Sequence, residues 1–235
     1  HALTDGNTGT TFFREIIYNY LELYYPNELK QENRQLRKID FDTEDSYIKN
    51  YDKRAKSNAS GKRAYELKGR KIKLGAVSAI HEIINLESLK IESKKYDATI
   101  TQYLTAVLMY SIYKENYIKN KSKKPIKICI PVNLKRYFSS KTMTNFFSYI
   151  TLVAQIEKDK LNTFEKMISF VKKEFKNRLN EEEIIKTMST NVKIGNNLIV
   201  RTIPLFLKKI LVRLSYLEIR KYTTITFSNI GRVGI

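Results

Sequence analysis

Apolar residues change their spacing several times along this chain, and each change marks a new element. In the first stretch they fall at Phe13, Ile16, Ile17, Tyr20, Leu21 and Tyr24. Steps of three and four residues place these side chains on one face of a helix. Asn7 or Thr8 is positioned to cap it, and Pro26 to end it. From Pro26 to about Gly69 the pattern turns polar and charged, and "KSNASGK" (56–62) has the composition of a linker. A domain boundary is expected there, with residues 1–60 ending one domain and residues 70–235 forming most of the next.

The second half is more regular. "GRKIKLGAVSAIHEII" reads as extended, although its "AVSAIHEII" portion is equally compatible with a helix. "NLESLKIESKKYD" predicts a short helix, and "TITQYLTAVLMYSIYKENY" a strongly apolar one starting at Thr99 or Thr101. Two strand-like runs follow, "IKICIPVNL" (126–134) and "NFFSYITLVAQI" (145–156), joined by polar "KRYFSSKTMT". "NTFEKMISFVKKEFKNRL" is amphipathic, with Phe164, Ile168, Val171 and Phe175 expected inward. "PLFLKKILVRLSYLEI" predicts a further helix. The stripe of Ile203, Phe206, Leu207, Ile210, Leu211 and Leu214 suits a helix covering a sheet; contact with a membrane surface is the alternative. A strand and turn, "TTITFSNIGRVG", close the pattern, and no internal repeat is present. Strands alternating with helices argue for a layered α/β fold.

Composition narrows the picture. With 235 residues, 42% of them hydrophobic, the chain can bury a sizeable core. Its one cysteine, Cys129, lies in an apolar run, which excludes a disulfide framework. A lone thiol of that kind, expected to be core filler, fits a cytoplasmic setting. No apolar run reaches the roughly 18 residues of a spanning helix, so any membrane contact is expected to be peripheral. The net charge of +19 raises nucleic acid as a partner. The lysines are spread along the whole chain, however, and the one dense basic stretch, "NKSKKPIK" (120–127), reads as a solvated loop. Without zinc-finger spacing, a Gly-rich phosphate loop or an RNA-binding aromatic signature, no nucleic-acid partner and no metal are expected.

Three short stretches resemble one family in the family's own order. "HALTDG" (1–6) matches the second half of the HHxxxDG motif of the chloramphenicol acetyltransferase and condensation-domain superfamily of acyltransferases. "PVNLKRYFSSKTMTNFFSY" (131–149) resembles the strand-loop-strand of its alcohol acetyltransferase-type members. "TFSNIG" (226–231) looks like the Ser-Asn-x-Gly turn that follows the strand crossing between the two halves of that fold. The resemblance implies a chloramphenicol-acetyltransferase-like two-domain α/β fold, present here in part, with mixed sheets covered by helices. It also implies an enzyme continuing on both sides of this chain, so that residues 1–235 alone are expected to be inactive.

The chemistry implied is transfer of an acyl group, acetyl among them, from acyl-CoA to a small or lipid-like alcohol. No cofactor is held; acyl-CoA is a co-substrate. Acyl transfer from a carrier-protein thioester to an amine or hydroxyl is the alternative, and a non-catalytic basic peripheral module is the non-enzyme reading. Histidine is the side chain that titrates nearest neutral pH, so His1 is the expected general base. Asn229 is the expected catalytic partner as an oxyanion donor, with Ser228 as runner-up; an Asn-x-Gly turn that merely ends a strand is the structural alternative. The resemblance assigns Asp5 a structural ion pair rather than a triad role, with Arg136 as its expected partner. Gly6 is expected to give backbone freedom at the junction of loop and helix. His81 matches no motif and is expected to be an ordinary histidine.

Overall fold

A computed structural model describes residues 4–26, 28, 45–55, 61–69, 72–73, 76–140 and 142–231. Its sheet forms where the two strand-like runs were expected. Strand β1 (Ile126–Asn133) pairs antiparallel with β2 (Phe147–Ala154), in register from Ile126 opposite Ala154 to Asn133 opposite Phe147. On the other side of β1, the short β3 (Ile225–Thr226) runs parallel, Ile128 facing Ile225 and Cys129 facing Thr226. The order is therefore β2-β1-β3, a mixed sheet. Two flanking bonds extend the parallel pair, from Thr224 N to the Lys127 carbonyl and from Phe227 N to the Cys129 carbonyl, each 2.9 Å.

Strand alternation divides the sheet into two unlike faces. Ile126, Ile128, Ile130 and Val132 share one face with Ile150, Leu152 and Ala154, and all seven are buried. Helices α4 (Ile100–Ile112), α5 (Phe164–Arg178) and α6 (Glu181–Asn196) supply Ala106, Met109, Met167, Ile168, Val171, Phe175, Ile184 and Met188 to the same core. On the other face, Pro131 and Tyr149 are exposed and Cys129, Thr151 and Val153 half-buried. Cys129 is thus less enclosed than its apolar neighbours in sequence suggest, because its side chain points to the open face.

Local signals explain the helix ends. Thr99, not Thr101, caps α4: its side chain accepts from Gln102 N while the Gln102 side chain returns the bond to Thr99 N. Thr163 caps α5 and Asn180 caps α6. Helix α3 (Leu86–Lys94) forms where its pattern predicts a short helix, and Asn85 caps it. The sequence reading passed over α6 because Glu181, Glu182 and Glu183 open it and its apolar positions are sparse. Ile184 and Met188 are buried in the core, and half-buried Val192 packs against it.

Segments from the first third dock on this unit. Helix α1 (Gly6–Tyr24) leaves from its edge, and α2 (Ser46–Asn50) packs near α6. The Tyr47 hydroxyl donates to the Phe147 carbonyl (2.8 Å) and accepts from Phe147 N (3.0 Å), doing at the edge of β2 what a further strand would do. Ala64 N bonds to the Lys221 carbonyl and Tyr65 N to the Pro125 carbonyl, so Tyr65 enters the core.

Two helices depart from expectation. Helix α8 (Leu205–Ile219), which follows the short α7 (Leu198–Thr202), was expected to cover the sheet, yet Phe206, Leu207, Ile210, Leu211 and Leu214 are all exposed. Along α1, Phe13, Ile16, Tyr20 and Tyr24 are exposed as well. The apolar pattern specified these helices correctly, but no described element lies over their apolar faces. Residues 76–85 are neither strand nor helix, and Val77, Ile80 and Ile83 stand in solvent.

Candidate active site

Because β1 and β3 are parallel, their carboxyl ends lie at one end of the sheet, together with the amino end of β2. Two polar constellations gather there. The first is built around Asp5. Helix α1 begins at Gly6, so the cap has to stand at position 5, and Asp5 rather than Asn7 or Thr8 fills it. Its Oδ1 accepts from Thr8 N at 2.9 Å. Its Oδ2 accepts from Phe146 N at 3.2 Å and lies 3.8 Å from Lys135 Nζ. Lys135 Nζ also donates to Thr8 Oγ1 at 2.7 Å, and Thr4 Oγ1 donates to the Met143 carbonyl at 2.7 Å. Asp5 is buried. Both carboxylate oxygens are therefore committed to fixing the loop, the start of α1 and the residues entering β2 in one arrangement.

The expected cation, Arg136, does not take part. A 3₁₀ turn spans Leu134–Arg136, and successive residues in such a turn point about 120° apart. Leu134 enters the core, Lys135 turns toward Asp5, and Arg136 is left exposed. The correction is a shift of one residue, with the Asp5 pairing role passing to Lys135. Gly6 also differs from expectation. It is the first residue of α1, its φ is not left-handed, and a Cβ there would meet nothing within 4 Å. This backbone makes no use of a glycine's freedom at position 6.

The second constellation is the turn after β3. Asn229 Oδ1 accepts from Gly231 N at 2.8 Å, and Asn229 Nδ2 donates to Thr101 Oγ1 at 2.9 Å. Gly231 has φ +85°, the left-handed backbone that glycine adopts at least cost. The turn is thereby clamped onto the first turn of α4. An Asn side chain carries two N–H groups, and among the described residues only Thr101 accepts from this one. Ser228 is exposed beside it. No hydrogen bond among the described residues joins this constellation to the one around Asp5. His1 lies outside the described residues.

The remaining candidates stay apart. His81 is exposed on residues 76–85. Burial pushes the Cys129 thiol above its ordinary range, partly offset by a hydrogen bond with Thr226, so little of it is thiolate near neutral pH. Among the described residues no group of three His, Cys, Asp or Glu side chains could hold a metal ion. No helix among them is long and apolar enough to cross a membrane.

Lys135, Thr101 and Phe146 were missed by the sequence reading. For Lys135 a signal was present: Asn133 caps the 3₁₀ turn through Lys135 N (3.0 Å), which fixes how the next side chains fan out. For Thr101 and Phe146 there was none, since each serves a partner more than a hundred positions away.

A family model described as alcohol acetyltransferase matches residues 82–233. The chain belongs to the alcohol acetyltransferase family. No curated protein sequence matches it. The match runs from just before α3 past β3, so it includes β1, β2, the Leu134–Arg136 turn and the Asn229 turn. Membership makes acyl transfer to an alcohol the class of activity, and an enzyme rather than a passive basic module the class of protein.

Proposed function

We propose that the intact protein transfers an acyl group, acetyl foremost, from acyl-CoA to an alcohol by direct attack, with His1 as general base. The observation that carries this reading is the engagement of Asp5. Its carboxylate is spent on Thr8 N, Phe146 N and Lys135, which makes it an anchor for the loop carrying "HALTDG" rather than a relay to the histidine. His1 stands four positions before that anchor, a reach of at most about 14 Å. The anchor and the Asn229 turn sit at the same end of the sheet.

In the proposed reaction the imidazole takes the alcohol proton as the alcohol oxygen attacks the thioester carbonyl carbon. Negative charge develops on the carbonyl oxygen, and the second N–H of Asn229 donates to it, held in place by Thr101 and Gly231. Collapse of the tetrahedral intermediate breaks the carbon–sulfur bond. The leaving thiolate recovers the proton from the imidazolium, so ester and free thiol form in equal amounts. Exposed Ser228 is the alternative donor. The family's alcohol acceptor favours this route over condensation with an amine.

Incubating the intact protein with acetyl-CoA and a panel of primary alcohols, with thiol release and ester formation measured together, tests the reading. One ester per thiol is the expected result. Turnover only with a carrier-protein thioester would replace the donor, and no turnover with either would sink the proposal.

A further inference from the structure

At the end of the sheet opposite Asp5, a cleft of about 680 Å³ opens between the turn after α4 and the turn after β2. The eight residues of β1 put this cleft roughly 23 Å from the end of the sheet that carries Asp5. Tyr113 and Tyr117 form part of its wall, and Lys121, Lys123, Lys160 and Lys166 surround it, with Glu157 its one acidic residue.

Three backbone irregularities converge here. Helix α4 runs into a π-helical turn, Tyr113–Tyr117, a form found mostly as isolated turns and frequently at functional sites. Lys121 has φ +45° and Lys160 has φ +53°. The described non-glycine residues with positive φ are these two and Asp97. Asp97 pairs with Lys172 at 3.1 Å. A lysine lacks the short polar side chain that lets Asn or Asp compensate locally for this conformation. The turns would close at lower cost on Gly or Asn, so the ammonium groups themselves call for a reason, and such strain gathers at ligand sites.

The charges are also unspent. Nearby Lys119 pairs with Glu115 at 3.0 Å, and Lys166 bonds to Asn162 Oδ1 at 3.0 Å. Lys121, Lys123 and Lys160 have no ion-pair partner among the described residues. Three point charges from two turns, facing one concavity of small-molecule size, match a compact anion with several charged centres.

We propose that this cleft binds a ligand bearing two or more phosphate groups, held by Lys121, Lys123 and Lys160. A soluble nucleotide and a phosphorylated lipid headgroup share that chemistry. Calorimetry with inorganic pyrophosphate on the full chain, at about 0.15 M salt to screen general attraction, is the test. Saturable one-to-one binding is expected, at least tenfold tighter than orthophosphate. Lys121→Gln/Lys160→Gln should weaken it tenfold or more. Lys123→Gln/Lys166→Gln, which leaves both left-handed positions untouched, should do the same without altering the melting temperature. Lys208→Gln/Lys209→Gln on α8 should bind as the parent does. Competition by ADP would assign a soluble ligand, and competition by vesicles containing phosphatidylinositol bisphosphate a lipid one. The proposal fails if neither competes, if no saturable binding occurs, or if the α8 variant loses as much affinity as the cleft variants.

Discussion

Asp5 Oδ2 lies 3.8 Å from Lys135 Nζ, across 130 positions of sequence, in a pair whose carboxylate is buried. The same carboxylate caps α1 and receives Phe146 N. One side chain thus ties the motif loop, a helix start and the entry to β2 together. Asp5→Ala would remove a helix cap worth about 1 kcal/mol. It would also leave Phe146 N and Lys135 without their buried partner, for a total loss of about 2–4 kcal/mol. Chemical denaturation of the parent and variant measures it.

The one-residue shift in the cation is testable directly. Lys135→Met should lower the melting temperature, since it removes the cation paired with the buried Asp5 carboxylate and the donor to Thr8 Oγ1. Arg136→Met should leave it unchanged, because Arg136 is exposed. Equal melting temperatures for the two variants would return the pairing role to neither residue.

Lys127 points to the open face of β1 yet is almost fully buried, its ammonium 5.6 Å from the centre of the Tyr222 ring. Burial pulls its pKa below the ordinary 10.5. The unfolded chain therefore binds the proton more tightly than the folded one. Lys127 contributes stability that is present above 10.5 and is lost as pH falls through the lowered folded value. Half-buried Tyr47 and buried Tyr117, whose pKa burial pushes up, act in the opposite sense at high pH. Comparing the parent with Lys127→Met cancels them. The unfolding free energy of the parent should rise relative to that of Lys127→Met as pH rises toward 10.5, and a constant difference would contradict the assignment.

The exposure of α8 predicts an asymmetry between helices. Leu211→Ser on α8 should change stability by no more than about 0.5 kcal/mol. Met109→Ala in α4, where the side chain is wholly buried, should cost about 2–5 kcal/mol. A large loss from Leu211→Ser would show that its face is covered in solution.

Periodicity and capping chemistry made β1, β2, α3, α4, α5 and α8 legible because these elements are specified by residues close in sequence. What α8 would lie against is a long-range property, and an apolar stripe carries no address; the same stripe that suits a sheet here stands in solvent. The Asp5 pairing was legible to within one residue. The turn Leu134–Arg136 had to be recognised as 3₁₀ before Lys135 could be separated from Arg136. Asn229 stands in a turn that its Asn-x-Gly pattern signals, yet its bond to Thr101 depends on the parallel placement of β3, which no local pattern encodes.

The central claim is direct acyl transfer with a histidine base on a loop that Asp5 anchors. Its most direct test is ester formation from acetyl-CoA by the intact protein and by its His1→Ala variant, with melting temperatures measured alongside. The account predicts equal melting temperatures and a fall in kcat of about 10²–10⁴-fold, the range of general-base catalysis. Ester formation by His1→Ala at the parent rate would contradict it.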